Sequence, residues 1–225
     1  MKLPLSKRLL ACCDFVAKGD RVADVGCVHG YLGIYLLRAG TASSVIAADV
    51  KEQPLQRAMR NSVKYGVGEK MRFYLSDGVR GIPHDFDTLV CAGMGADTMI
   101  SILEAAPWLK TDAYRLILQC QSKQPLLRRY LSEAGWQITA EQALRDSRFL
   151  YTVMEVRWQQ GKPLTPSQWY FSPALLENPT KETAEYYRQV VKRLRLAAQH
   201  DSQLSTILAE LESDPDFLPL KEGYL

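Results

Sequence analysis

Asp24-Val25-Gly26-Cys27-Val28-His29-Gly30 is the stretch that decides how this chain folds. It follows an apolar run at 21–25 and opens an apolar-periodic segment, and Asp49 ends the next strand-like run. A strand, a glycine-bearing turn, a helix and a second strand closed by a carboxylate make up half of a nucleoside-binding sheet. A carboxylate about twenty residues past such a turn suits the two hydroxyls of a ribose.

Outward from the turn, short apolar runs at 45–49, 71–75, 88–92 and 115–119 alternate with helix-like stretches at 31–39, 54–65, 97–105 and 123–134. Strand-helix alternation with short connections predicts an α/β fold with a parallel, doubly wound sheet. Runs at 136–140 and 149–157 have no ten-residue helix between them, so they read as a hairpin-style ending with the last strand antiparallel. Ahead of the first strand, Leu9, Leu10, Cys13 and Val16 have helical spacing, with Lys7 and Arg8 on the polar side.

The composition shifts after Trp158. Pro163, Pro166, Pro173 and Pro179 make residues 159–180 an irregular connector. Residues 181–212 lack Gly and Pro and carry a near-heptad stripe through Tyr187, Val191, Leu194, Ala198, Leu204, Leu208 and Leu211. One long helix or a helical hairpin fits, and Asp201, at an apolar position of the stripe, favours the hairpin. The tail at 214–225, with Pro215 and Pro219, reads as loosely held. The expected division is a sheet domain at 1–158 and a connector plus a small helical, coiled-coil-like C-terminal domain at 159–225.

Of the 225 residues 47% are hydrophobic and 24% charged, as in ordinary globular proteins. No apolar run is long enough to cross a membrane, and the first residues lack the apolar core of a signal peptide, so a cytoplasmic protein is expected. Five cysteines at positions 12, 13, 27, 91 and 120 form no C-x-x-C pair, and His29, His84 and His200 are scattered. Reduced, mostly buried thiols and no metal site follow. A net charge of +3 does not by itself imply nucleic acid. Arg128, Arg129, Arg145 and Arg148, and then Arg188, Lys192, Arg193 and Arg195, form two clusters that either track phosphates or make solvated helix faces.

Glycines at 26, 30 and 33 give G-x-x-x-G-x-x-G, one residue too long for a dinucleotide turn. This wider turn resembles the first motif of class I S-adenosylmethionine methyltransferases, whose cofactor has no phosphate. That cofactor needs a backbone cradle and a carboxylate for its amino-acid moiety, a second carboxylate for its ribose and an edge contact for its adenine. Asp24, Gly26, Cys27, His29 and Gly30 would serve the first, Asp49 with Val50 the second, and Ser76-Asp77-Gly78 the third. Ala92-Gly93-Met94 lies at the switch-point edge. His29 is either a residue beside the methionine moiety and target base, or a helix-start residue satisfied by nearby backbone.

The match extends further. Leu5-Ser6-Lys7-Arg8-Leu9, the 23–37 turn and helix, Asp77-Gly78, Ala92-Gly93-Met94-Gly95, Arg115-Leu116-Ile117-Leu118-Gln119, residues 146–151 and Phe171-Ser172-Pro173-Ala174-Leu175-Leu176 occur in order. Together they resemble the bacterial tRNA (adenine(22)-N(1))-methyltransferases over nearly the whole chain. The family's turn usually reads Gly-Ser-Asp-His-Ala-Tyr-Leu-Pro, so Val28 stands here in place of an acidic residue, and Ala96 in place of a second glycine after the fourth strand. The resemblance implies a Rossmann-like sheet, S-adenosyl-L-methionine as cofactor, tRNA as substrate and partner, and no obligatory protein partner. It places His29 and Met94 at the target base. Lys7, Arg8, Arg148, Arg188, Lys192 and Arg195 are the expected RNA contacts, the last three on one helical face. A methyltransferase for another RNA or a small molecule, and a non-catalytic RNA- or nucleotide-binding module, are the competing readings.

Overall fold

The computed structural model describes residues 3–217 and residue 220. Helix α1 (Lys7–Asp14) precedes β1 (Arg21–Val25). The alternation continues through α2 (Tyr31–Arg38), β2 (Ser44–Asp49), α3 (Glu52–Lys64), β3 (Met71–Leu75), β4 (Thr88–Gly95), α4 (Ala96–Glu104), β5 (Arg115–Ser122) and α5 (Gln124–Glu133). Strands β6 (Trp136–Asp146) and β7 (Phe149–Trp158) follow, then α6 (Pro166–Tyr170), α7 (Lys181–Ala197) and α8 (Ser202–Ser213). The strands form one sheet in the order β3-β2-β1-β4-β5-β7-β6. It is parallel through β5, and β7 enters antiparallel between β5 and β6. This is the expected α/β, Rossmann-like methyltransferase sheet.

Strands buried on both faces read as continuous apolar runs, and side chains alternate between the faces. Ala23, Val25, Ile46 and Ala48 pack against Met99, Leu103, Leu127 and Leu131 on the side of α4 and α5. Val22, Val45 and Ala47 pack against Cys13, Leu36 and Leu55 on the side of α1, α2 and α3. Asp24 has the parity of Val22, so the alternation that makes the sheet's core also drives this carboxylate under α2. The strand order reverses between β1 and β4, and the crevice at their carboxyl ends is where ligands bind in such sheets.

Four expectations are corrected. Gly93-Met94-Gly95, expected after the fourth strand, belongs to β4. Met94 pairs with Cys120 and Gly95 with Ser122 across register shifts, and a bulge accommodates glycines that would weaken a regular strand. The run at 136–140 extends to Asp146, because β7 pairs with it along its length. The connector at 159–180 is not simply irregular. Pro166 starts α6 behind a Thr165–Gln168 capping box, and a 3-10 turn spans Pro173–Leu176. Proline at the first helical position lacks only an N–H that would have gone unpaired. Fully buried Phe171 and Leu175 anchor this segment. In the tail, Phe217 and Leu220 are buried rather than loose, while 218, 219 and 221–225 lie outside the described residues.

Residues 181–212 form a hairpin. A 3-10 turn at Ala198–His200 ends α7, and the Asp201 carboxylate accepts the N–H groups of Gln203 and Leu204 at 2.9 and 3.1 Å, capping α8. Tyr187, Val191, Leu194, Ile207 and Leu211 close over Phe171 as a cluster of their own.

Candidate active site

The turn after β1 is stitched to β2. Gly26 and Cys27 both donate to the Ala48 carbonyl, at 2.8 and 3.0 Å. Val28 donates to Asp49 Oδ2 at 3.1 Å and Lys51 to Asp49 Oδ1 at 2.9 Å. Two backbone bonds thus aim the Asp49 carboxylate and leave each oxygen a further lone pair. Gly26 has φ +75°, and a Cβ there would lie 2.3 Å from Met94 Cε. Only glycine both takes this conformation freely and lets Met94 reach across the turn. Val28 also stands at positive φ, +50°, with no glycine to ease it.

Between this turn and α1 lies a cleft of about 400 Å³, lined by Ser6, Arg8, Asp24, Cys27, His29, Tyr31 and Ala92 among others. Asp24 is 4% exposed, and its Oδ2 has no hydrogen-bond partner within the protein. Burial first, then the charge of Asp49, pushes its pKa up to about 7 from 3.8, against a backbone hydrogen bond from Gly33 that lowers it. Ser6 Oγ, on the same cleft, is likewise buried without a partner. Arg8 Nη1 donates to Gln119 Oε1 at 2.9 Å, and the Gly93 N–H donates to the same oxygen at 3.2 Å. A buried carboxylate oxygen with nothing to accept, a hydroxyl with nothing to bond and a fixed guanidinium around one cleft are complementary to an amino-acid zwitterion. Chemically, such a cleft can take an ammonium against Asp24 Oδ2 and a carboxylate against Ser6 and Arg8.

His29 and Tyr31 share the cleft, their rings 5.7 Å apart, and Asn61 Nδ2 donates to the His29 carbonyl at 2.9 Å. Cys27 is buried, and burial pushes its thiol up, with Asp24 and Asp49 adding to the effect. All five cysteines are free and buried, as expected.

The third-strand motif stands on the same edge without entering this cleft's lining. The Ser76 N–H bonds the Asp49 carbonyl at 3.0 Å, and the Ser76 hydroxyl donates to the Gly78 carbonyl at 3.0 Å. Asp77 is exposed and paired with Arg80, and Val50 is 64% exposed. Among the expected RNA contacts, Lys7 is exposed on α1. Arg8 is a correction: it turns inward to Gln119 instead of lying on the polar side of α1, because a buried carbonyl oxygen there accepts it. Arg188, Lys192 and Arg195 line a separate cleft against Glu212. Arg188 donates to the Leu220 carbonyl at 3.3 Å, and Arg195 pairs with Glu212. Arg148 lies elsewhere, at the tip of the β6–β7 hairpin.

Ser6 and Gln119 were missed as site residues. They stood inside motifs that matched as text, but no chemistry pointed to them, because their partners lie far away in sequence.

Residues 5–154 match the family model described as a methyltransferase domain. The chain is 30% identical over 154 residues to the tRNA (adenine(22)-N(1))-methyltransferase of Bacillus subtilis, across 68% of this chain and 65% of that protein. Among solved structures, the Streptococcus pneumoniae protein Sp1610 in complex with S-adenosyl-L-methionine superposes with a TM-score of 0.83 at 30% identity, covering 92% of this chain and 98% of that one. The B. subtilis M1A22 tRNA methyltransferase superposes with a TM-score of 0.77 at 25% identity, over 98% of this chain and 99% of that one.

Proposed function

This chain belongs to the bacterial tRNA (adenine(22)-N(1))-methyltransferase family, and from that premise we propose that it methylates N1 of an adenine in tRNA with S-adenosyl-L-methionine as donor. The observation that supports this most is the Asp24 carboxylate, buried, unpartnered at Oδ2 and facing a cleft that also holds Ser6 and Arg8. Such an oxygen is costly unless a cation completes it.

The bound sulfonium supplies an activated methyl whose thioether leaving group needs no proton. Asp24 holds the ammonium, Ser6 and Arg8 hold the carboxylate, and Asp49 takes the ribose hydroxyls. Ser76, Asp77 and Gly78 border the adenine. Gly93, Met94 and Gly95 form the wall against which the target base is held, with Met94 as the adaptable apolar contact. The protein's main task is alignment. Attack by N1 leaves a cationic base, so bond formation requires no general base, and a carboxylate or His29 takes the amino proton afterwards. Residues 1–158 form the methyl-transfer unit, and residues 159–225 form an appendage that helps to hold the RNA, which must present the adenine unpaired.

The test is incorporation of labelled methyl into bulk tRNA from a strain lacking the protein, followed by nucleoside mass spectrometry. N1-methyladenosine is expected. A different methylated nucleoside would keep the donor and discard the substrate.

A further inference from the structure

The β6–β7 hairpin tip stands on the same edge of the sheet as the cofactor cleft. Strand β7 is antiparallel to both β5 and β6, so β6 runs in the direction of β5, and Asp146 at its end lies at the carboxyl edge. The Arg8 N–H donates to Asp146 at 3.4 Å, tying α1, which borders the cleft, to this tip. Beside the tip opens a groove of about 630 Å³ whose lining includes Ser122, Lys123, Arg145, Arg148, Phe149 and Arg193. Ser122 pairs with Gly95 at the end of β4, so the groove begins where the target-base wall ends.

Its chemistry is specific. Lys123 and Arg145 are neutralised by Asp97 and Glu185. Arg148 and Arg193, by contrast, face no carboxylate within ion-pair distance among the described residues. Phe149 is 51% exposed, an aromatic ring open to solvent. The Arg148 guanidinium carbon lies 4.9 Å from the centroid of this ring, over one of its two faces, and Tyr151 meets it edge-on with the ring centroids 6.3 Å apart. Free cations and an exposed aromatic lining one groove are the elements of a single-strand site, where cations follow the phosphates and a base stacks on the ring.

We propose that this groove is the RNA path: Arg148 and Arg193 hold backbone phosphates, and Phe149 stacks an unpaired base on its open face next to the methylated adenine. The assignment rests on the tRNA reading above and adds to it the surface and the residues. It moves the principal contact from the Arg188–Lys192–Arg195 face, where two of the three cations are spent inside the hairpin, to the opposite flank of α7.

The experiment compares four variants of the full chain with the unaltered protein: Phe149→Ala, Phe149→Trp, Arg148→Ala/Arg193→Ala, and Arg188→Ala/Lys192→Ala/Arg195→Ala. The readouts are tRNA affinity across a salt series, KM and kcat for methyl transfer, and cofactor affinity by calorimetry. Phe149→Ala is expected to raise the tRNA Kd about 5- to 100-fold, and Phe149→Trp to restore it. Arg148→Ala/Arg193→Ala is expected to weaken binding about tenfold and to flatten the log–log salt slope by about 1.5. Cofactor affinity is unchanged in both. Full tRNA affinity in both groove variants, or a loss confined to the Arg188/Lys192/Arg195 variant, would overturn the proposal. An unaltered protein that neither binds nor methylates tRNA would overturn the substrate reading, and the groove with it.

Discussion

Asp24 couples protonation to both stability and ligand binding, in opposite directions. Its carboxyl is held at about 7 in the fold against 3.8 when free, so the folded state prefers the protonated form. Its stabilising contribution is complete below about pH 4 and is lost as the pH rises through about 7. The ligand-free protein should therefore have a lower Tm at pH 8 than at pH 6, and Asp24→Asn should flatten that difference. Cofactor affinity should run the other way, because the ammonium binds the ionised carboxylate. As the pH rises towards 7, the Kd should fall up to about tenfold per pH unit. Asp24→Asn should raise it about 30-fold or more and abolish the pH dependence, as read by calorimetry at pH 6, 7 and 8. Val28 carries a different load. A β-branched residue at φ +50° costs roughly 1–3 kcal/mol, whereas the acidic residue that the resembling family has there tolerates that region. Val28→Asn keeps the N–H bond to Asp49 and should stabilise the protein by about 1 kcal/mol, a Tm gain of about 2–4 °C.

At the scale of elements, the Asp201 cap separates a hairpin from a continuous helix. Asp201→Ala should cost about 1 kcal/mol and speed hydrogen exchange in the first turn of α8. Unchanged protection there would mean that packing alone sets the bend. Which elements were legible follows from burial. Parallel strands covered on both faces leave unbroken apolar runs, so β1 to β5 were placed to within a few residues. The hairpin was legible in Asp201, the single polar break in a stripe. Gly93-Met94-Gly95 was misplaced because glycine pairs signal a turn locally, while a bulge forms only when β5 lies alongside. Pro166 and Pro173 were taken as breakers, because a starter proline is told from a breaker only by what buries Phe171. The site divided the same way. Asp24 and Asp49 lie within the last two residues of their strands, so their positions follow from the strands, but the role of Gln119 depends on Arg8, 111 residues away.

Across the whole molecule, one buried ion pair joins the sheet to the C-terminal helices. Arg128 and Glu141 are both fully buried, with Arg128 Nη2 2.6 Å from Glu141 Oε1. Arg128 Nη1 also donates to the Trp169 carbonyl at 3.1 Å, and Nη2 to the Tyr186 hydroxyl at 3.4 Å. Removing one partner strands the other charge, so Arg128→Met alone should cost about 3–5 kcal/mol. Arg128→Met/Glu141→Leu should recover most of that in urea denaturation. The double variant should nonetheless loosen α6 and α7 specifically, seen as faster hydrogen exchange there than in β1 and β4.

The insertion of β7 between β5 and β6 sets the order in which this protein can be made. A nascent chain can assemble β1 to β5 with their helices as each emerges. Strand β6 leaves the ribosome with no neighbour, since among the described residues its one partner in the sheet is the strand that follows it. Until residue 158 is out, β5 is an open edge, exposed to pairing with other chains. Translational pausing between residues 123 and 158 should therefore prolong an aggregation-prone interval. Pausing beyond β7 should be harmless to the methyl-transfer unit, whose last seam is by then closed.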